Sequence, residues 1–206
     1  MSVKSKLRKT GRRITRADAE IVRAAAPRGA IPKKIIATVG KLGDQPELRT
    51  LSAIVIAGGV LRANRRLLRT GIRMLLAHEL ATLGKNLIKE QIDRTRPHSA
   101  DSSRDRAVKP GRKTAKSETS FPSGHSAGAT AVARAVGREY PEAQAPALAA
   151  ATVVAALQVP RLNHYPTDVA AGMLLGVVSE AVASAVLPEL DDDTKPEAPL
   201  PPPPRA

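Results

Sequence analysis

The sequence predicts an all-α fold, a helical bundle with membrane-embedded helices. Apolar residues recur in segments of helix length, and no segment alternates strictly between apolar and polar residues as a half-buried strand would. The second half of the chain is also rich in alanine, which favours helix. A chain of 206 residues is long enough for one domain with a substantial core.

The chain divides into three regions. Residues 1–49 carry many Lys and Arg side chains, and we predict a basic arm, disordered or weakly helical, with a short amphipathic segment at 31–42. Residues 50–188 form the predicted helical domain. Residues 189–206 are acidic and then proline-rich, which predicts a disordered tail.

Within the helical domain, apolar segments are separated by polar connections. The predicted elements are an apolar segment at 51–61, a basic loop at 62–69, a helix over 72–93, a polar loop over 98–120, and helices over 123–138, 145–159 and 169–187. The last helix approaches the length that crosses a bilayer. Four apolar segments of this kind favour a membrane protein, and the alternative is a soluble bundle whose Ala-rich faces form its core.

The composition limits the class of partner. The formal net charge is +14, which favours a polyanion such as an anionic lipid surface, a nucleic acid or a phosphorylated substrate. Aromatic residues make up 1% of the chain, too few to stack bases, so we expect no nucleic-acid binding. The chain has no Cys, which excludes disulfides and thiolate metal sites.

Three short segments carry chemistry, and each lies at a predicted helix boundary. In the first, Ser123 is a good N-cap, and Gly124 and His125 follow it into the next helix. Free backbone N–H groups, the positive end of a helix dipole and a titratable imidazole suit a bound oxyanion, phosphate above all. The alternative is an ordinary capped helix with a surface histidine.

The second segment holds Lys89 and Arg96, followed by Pro97. Their spacing of seven residues corresponds to two helical turns, so both cations are predicted on one helix face. A guanidinium fork beside a compact ammonium suits a phosphate dianion. The alternative is a pair of cations that extend from a helix end into solvent.

The third segment holds His164 and Asp168, four residues apart. A carboxylate that accepts one imidazole N–H fixes the tautomer and leaves the other nitrogen free to attack. The alternative is a capping Asp and a surface His. Up-and-down packing of the helices puts the three segments at one end of the bundle, where they would form a single site.

These residues resemble the type 2 phosphatidic acid phosphatase family, which shares its site with vanadium haloperoxidases and bacterial class A acid phosphatases. The family pattern is Lys, six residues, Arg-Pro; then Pro-Ser-Gly-His; then Ser-Arg, five residues, His, three residues, Asp. The first two parts are complete here, and the His and Asp of the third part match. Leu157 and Gln158 occupy the Ser-Arg positions. The similarity covers about residues 50–187.

The resemblance implies a role for each matching residue. His164 is the nucleophile that forms a phosphohistidine, Asp168 orients it, and His125 is the general acid that protonates the leaving oxygen. The phosphoryl oxygens are held by Lys89, Arg96, Ser123 and the Gly124 N–H. No metal and no cofactor are implied. We predict that Arg161 replaces the arginine expected at Gln158.

Three further polar residues lie close to these segments or between them. Arg94 is a second candidate for the missing cation, and a cation from the 104–116 loop is a third. His98 adjoins Pro97 and is predicted to be a loop residue. His78 lies in mid-helix among apolar residues, where a packed imidazole is expected.

Together these features predict a membrane-associated phosphatase of a lipid phosphate monoester or diphosphate, such as phosphatidate or a polyprenyl phosphate. The alternatives are a phosphatase of soluble phosphoesters, a vanadate-dependent haloperoxidase, and a non-catalytic basic membrane-surface protein with a degenerate site. The basic loop 62–69 and Arg96 lie at opposite ends of one helix, so the positive-inside rule places the catalytic end outside the cytoplasm. The basic arm argues against that orientation, and the oligomeric state is left open.

Overall fold

Helices dominate the protein, seen here as a computed structural model that describes residues 3–26, 33–102, 105–113 and 115–187. Within these residues the helices are α1 (Val3–Ala25), α2 (Lys33–Lys41), α3 (Gln45–Leu61), α4 (Arg65–Lys89), α5 (Gly124–Glu139), α6 (Pro141–Ala156) and α7 (Pro166–Val186). Two short strands, β1 (Ile92–Asp93) and β2 (Lys109–Pro110), pair antiparallel in the polar connection between α4 and α5. The predicted all-α class is confirmed.

The core lies between α4, α5 and α7, with α3 packed on α4 and α6 packed on α5. Small side chains line α5 at helical spacing, among them Ala127, Ala131 and Ala135, which are at most 1% exposed. On α7, a Cβ added at Gly172 would lie 2.3 Å from the Ser123 carbonyl oxygen. The two helices therefore meet backbone to backbone at the end where the candidate site residues lie.

Several helix boundaries differ from the predicted ones. α3 begins at Gln45, so it crosses the predicted boundary between the basic arm and the helical domain. Only 62–64 form the loop that follows α3, because Asn64 caps α4 with its side chain. α4 ends at Lys89, earlier than predicted. The predicted tail, 189–206, lies outside the described residues.

The basic arm is helical where it is described, contrary to the prediction of a disordered or weakly helical segment. α1 is continuous over 23 residues, and α2 falls within the predicted amphipathic segment 31–42. α1 buries Asp18 and Val22 against the rest of the protein, and Val22 packs with Val159 and Tyr165. This buried face holds α1 in place although most of the other side chains described on α1, from residue 9 onward, are exposed.

Among the described helices, only α7 is long and apolar enough to cross a membrane, whereas the sequence predicted four apolar segments of helix length, slightly short for spans. Large apolar side chains nevertheless face outward along the bundle. On α7 they form a stripe at every fourth residue, in which each side chain is between 46% and 65% exposed: Leu174, Val178, Val182 and Val186. Ile54 and Leu61 on α3 are 63% and 86% exposed.

Candidate active site

Two histidines come together at one end of the bundle. The ring centroids of His125 and His164 are 6.0 Å apart, and the rings are inclined at 64°. His125 is the second residue of α5, and His164 lies in the connection just before α7. Because α5 and α7 pack directly against each other, two segments that are distant in sequence share one end of the fold.

His164 is held by the main chain. Its Nδ1 lies 2.8 Å from the Ser120 carbonyl oxygen, and because a carbonyl only accepts, Nδ1 carries the proton and Nε2 keeps its lone pair. The Asp168 carboxylate is 3.9 Å from Nδ1, too far for the predicted direct hydrogen bond. It accepts instead from the Ser120 hydroxyl at 2.6 Å, so the link from Asp168 to His164 runs through Ser120. Burial lowers the pKa of His164 and so favours the neutral ring.

Asp168 is anchored in turn by Arg94. Arg94 Nη1 donates to Asp168 Oδ1 at 2.5 Å, and Nη2 donates to Asp18 Oδ2 at 2.6 Å. Arg94 Nε donates to the Arg106 carbonyl oxygen at 2.9 Å, and the guanidinium lies 4.0 Å from the Tyr165 ring centroid. Arg94 is therefore engaged with these partners and is not the cation that replaces the missing family arginine. Asp18 was not predicted from the sequence because it comes from the basic arm.

Lys89 and Arg96 both reach the site, by a different route from the predicted one. Lys89 is the last residue of α4, and Arg96 follows β1 in an extended conformation, so they do not share a helix face. Lys89 Nζ donates to the Thr119 carbonyl oxygen, and Arg96 Nε donates to that of Lys116 at 2.7 Å. Burial, and then the charge of Arg96, lower the pKa of Lys89 to about 7. The charges of Lys89 and Arg96 also lower the pKa of His164, so both cations interact electrostatically with its ring.

The start of α5 has the predicted cap. The Ser123 Oγ accepts from the Ser126 N–H at 3.3 Å and from the Ser126 hydroxyl at 2.9 Å. A Cβ added at Gly124 would lie 2.9 Å from Lys85 Cδ, so the glycine allows Lys85 to lie against the start of the helix. Lys85 is one turn before Lys89 on α4 and is a further site cation. Lys85 could have been found from the sequence, because it lies four residues before Lys89 and this spacing places both ammonium groups on one helix face.

His125 is paired with a carboxylate that was not predicted from the sequence. Its Nε2 contacts Asp44 Oδ1, and because a carboxylate only accepts, Nε2 carries a proton. Burial lowers the pKa of His125 to about 4, Asp44 opposes that shift, and the charges of His164 and Arg161 add to it. Asp44 is the N-cap residue of α3, and the sequence placed it in the basic arm because α3 was predicted to start later.

Gln158, which stands where the family has an arginine, is fully buried. Its Nε2 donates to the carbonyl oxygens of Gly40 and Val154 at 3.2 and 3.0 Å, so it ties α6 to α2. Arg161 lies against the same turn of α2, where a Cβ added at Gly40 would be 2.3 Å from Arg161 Nη1. That nitrogen is buried and has no hydrogen-bond partner among the described residues. The charge of Arg161 lowers the pKa of His125, so the two groups interact.

The remaining histidines lie outside this cluster. His98 is exposed, with Nδ1 3.0 Å from the Leu162 carbonyl oxygen, as expected of a loop residue. His78 is 1% exposed, and neither ring nitrogen has a partner among the described residues, as expected of a packed imidazole. The described part of the chain holds no group of three or more His, Asp or Glu side chains that could bind a metal ion.

The arrangement suits phosphoryl transfer to a histidine, and the fold and the site define a phosphate ester hydrolase. The family model of the PAP2 superfamily matches residues 70–191, more than half of the chain, and the protein belongs to that family. No curated protein matches the chain.

Two crystal structures are similar to it. One is a transmembrane PAP2-type phosphatidylglycerolphosphate phosphatase from Bacillus subtilis, 25% identical, with a TM-score of 0.62 over 82% of this chain and 84% of that one. The other is LpxE from Aquifex aeolicus, 20% identical, with a TM-score of 0.62 over 81% of this chain and 93% of that one; this likeness concerns the fold alone.

Proposed function

We propose that the protein is a metal-independent phosphatase that hydrolyses a lipid phosphate monoester or diphosphate through a phosphohistidine. The observation that carries this proposal is the pair of imidazoles 6.0 Å apart, with Lys89 and Arg96 acting on one of them. The His164 ring has a free nitrogen lone pair, and the carboxylate of Asp44 at His125 Nε2 favours the protonated form of His125, whose other nitrogen then carries the transferable proton. A nucleophile and an acid are thus close neighbours at one end of the bundle.

The first chemical step transfers the phosphoryl group to the protein. His164 Nε2 attacks phosphorus, the P–N bond forms, and the bond from phosphorus to the ester oxygen breaks. His125 acts in its doubly protonated form: its Nε2–H stays on Asp44, and its Nδ1 gives the second proton to that oxygen, so the alcohol leaves neutral. Positive charge from Lys89 and Arg96 and the backbone N–H groups at the start of α5 stabilise the equatorial oxygens of the transition state.

The second step returns the site to its starting state. Water attacks the phosphohistidine in line with the P–N bond, His125 takes one water proton, and phosphate leaves. The His164 Nδ1–H stays on the Ser120 carbonyl oxygen throughout, while the Asp168 carboxylate offsets the positive charge of the phosphorylated ring. Arg161 supplies the charge that the family arginine gives at position 158.

A lipid substrate is supported by the outer surface of the bundle. The apolar stripe on α7 and the exposed apolar side chains of α3 suit contact with acyl chains, and the similar protein from Bacillus subtilis is a transmembrane phosphatidylglycerolphosphate phosphatase. The protein is therefore associated with a membrane. That its catalytic end faces the extracytoplasmic side is our proposal from the basic residues at 62–69 and the positive-inside rule alone.

Cysteine labelling tests that orientation, since the chain has no cysteine of its own. In intact cells, a membrane-impermeant maleimide is expected to label Ser99→Cys, near the site, and not Leu61→Cys, at the other end of the bundle. The opposite labelling pattern would overturn the orientation.

The catalytic proposal is tested by phosphate release from a panel of lipid and soluble phosphoesters in the presence of EDTA. Wild-type protein is expected to prefer lipid phosphates, His164→Ala to be inactive, and His98→Ala, which removes an exposed imidazole, to match wild type. Activity in His164→Ala would reject the nucleophile. Activity that disappears with EDTA would reject the metal-independent mechanism, and equal rates on soluble esters would reject the lipid substrate.

A further inference from the structure

The N-terminal helix α1 contributes one carboxylate, Asp18, to the buried network behind the candidate nucleophile. Asp18 is 2% exposed although its neighbours on α1 are mostly solvent-facing. Its Oδ2 accepts from Arg94 Nη2 at 2.6 Å and from the Thr167 hydroxyl at 2.5 Å, and its Oδ1 accepts from the Thr167 N–H at 3.2 Å. A single side chain therefore contacts both the cation that anchors Asp168 and the residue that precedes Asp168.

Asp18 acts on α7 as a cap supplied from a distant part of the chain. Thr167 lies in the first turn of α7, where backbone N–H groups have no partner within the helix. A carboxylate at that position satisfies one of these groups and interacts favourably with the helix dipole. Because Asp168 is the next residue, the position of Asp18 fixes the turn that presents the Asp168 carboxylate.

Asp18 is also the second carboxylate that binds the Arg94 guanidinium. The guanidinium lies between two carboxylates, with Nη1 on Asp168 and Nη2 on Asp18, and it is 1% exposed. A buried charge that loses one of its partners is strongly destabilised and turns toward the partner that remains. Without Asp18, Arg94 would bind Asp168 more fully and reduce the negative potential that Asp168 exerts on the His164 ring.

We infer that Asp18 is a positioning residue of the catalytic site, which acts on His164 through Arg94, Asp168 and Ser120. This inference rests on the proposed function. The family model begins at residue 70, so α1 lies outside the part of the chain that it matches. The N-terminal helix α1 thus supplies a residue that positions the catalytic side chains, in addition to forming a basic surface.

The test compares three variants of the full-length protein. Asp18→Asn removes the charge and keeps the shape. Glu20→Gln removes the same charge from the exposed side of the same helix. Val22→Ala weakens the docking of α1 on Val159 and Tyr165 without removing any charge.

We expect Asp18→Asn to lower kcat by about tenfold, with little change in KM, because a misplacement of catalytic groups by about 1 Å can lower the rate by up to about 100-fold. Glu20→Gln is expected to match wild type. The charged and titratable groups that act on His164 are Asp168, Arg96, Lys89 and the neighbouring His125. Weakening the negative potential of Asp168 disfavours the protonated ring, so the acid limb of the kcat–pH profile should move to lower pH in Asp18→Asn and stay in place in Val22→Ala.

Three results would overturn the inference: unchanged kcat in Asp18→Asn, the same loss in Glu20→Gln, or a Val22→Ala profile identical to that of Asp18→Asn. Should Asp18→Asn not fold, Thr167→Val is the second variant, because it removes the hydroxyl that donates to Asp18 and accepts from Arg94 Nη1, and leaves both carboxylates in place. A lowered kcat in Thr167→Val supports the inference, and an unchanged kcat rejects it. Failure of the proposed function is recognised separately, by wild-type protein without activity or by active His164→Ala.

Discussion

The role of Arg161 can be tested with one substitution, Arg161→Gln. The guanidinium has a buried nitrogen without a partner among the described residues, and it lies close enough to lower the pKa of His125. A charge-assisted contact to a transition-state phosphoryl oxygen contributes about 2–4 kcal/mol. Arg161 is partly exposed, so solvent screening favours the lower end, about 2 kcal/mol, which corresponds to about a 30-fold loss in kcat/KM.

The assay is steady-state phosphate release from the best lipid substrate, with two reference variants. Lys89→Gln is expected to lose more than Arg161→Gln, because the charge of Lys89 acts directly on His164, the proposed nucleophile. Arg62→Gln removes an exposed cation at the C-terminal end of α3, the end opposite Asp44, and is expected to match wild type. If Arg161→Gln retained wild-type kcat/KM while Lys89→Gln was inactive, the replacement of the family arginine by Arg161 would be wrong.

Three other outcomes are expected at the same site. The pKa of Lys89 is about 7 without ligand, so binding of inorganic phosphate near pH 7.5 should be accompanied by proton uptake, measured by calorimetry in buffers of different ionisation enthalpy. Asp44 raises the pKa of His125, so Asp44→Asn should lower the protonated fraction of His125, move the pH optimum for phosphate release to lower pH and reduce the rate at neutral pH by up to about fivefold. Gly40→Ala puts a methyl group 2.3 Å from Arg161 Nη1, so it should lower kcat/KM in wild type and have no further effect in Arg161→Gln, as a double-mutant cycle would measure.

Each of these has a result that would contradict it. Lys89→Arg stays charged at every relevant pH, so proton uptake of the same size in that variant would assign the effect to another group. A pH optimum that does not move in Asp44→Asn would show that Asp44 does not set the pKa of His125, the proposed acid. Additive losses from Gly40→Ala and Arg161→Gln would show that the methyl group acts somewhere other than on the guanidinium.

The helices and the main chemical groups of the site could be predicted from the sequence because both depend on local patterns. Apolar periodicity located α4 to α7 within a few residues at most ends, and the cap at Ser123 is a property of adjacent residues. The shared helix face of Lys89 and Arg96 was predicted wrongly. The chain leaves the helix after Lys89 and pairs β1 with β2, a contact between segments that no local pattern connects.

The partners of the two histidines could not be predicted, because they come from distant segments. Asp44, which contacts His125, and Ser120, which contacts His164, are separated from those residues by 81 and 44 positions. The charged composition of α1 was interpreted as a sign of weak structure. One buried face, with Asp18 and Val22 four residues apart, is enough to dock the helix, and single charged or apolar side chains of that kind do not stand out in a basic sequence.

The hydrogen bond from His164 to the Ser120 carbonyl limits which substitutions can affect the His164 ring. Its acceptor is a peptide group, which every amino acid supplies, so no substitution at position 120 can delete it. The tautomer of His164, the proposed nucleophile, is thereby protected against point mutation at that position. A change of tautomer requires a different path of the backbone between α4 and α5. The rate of the proposed phosphoryl transfer therefore depends on the backbone conformation of that loop as much as on its side chains.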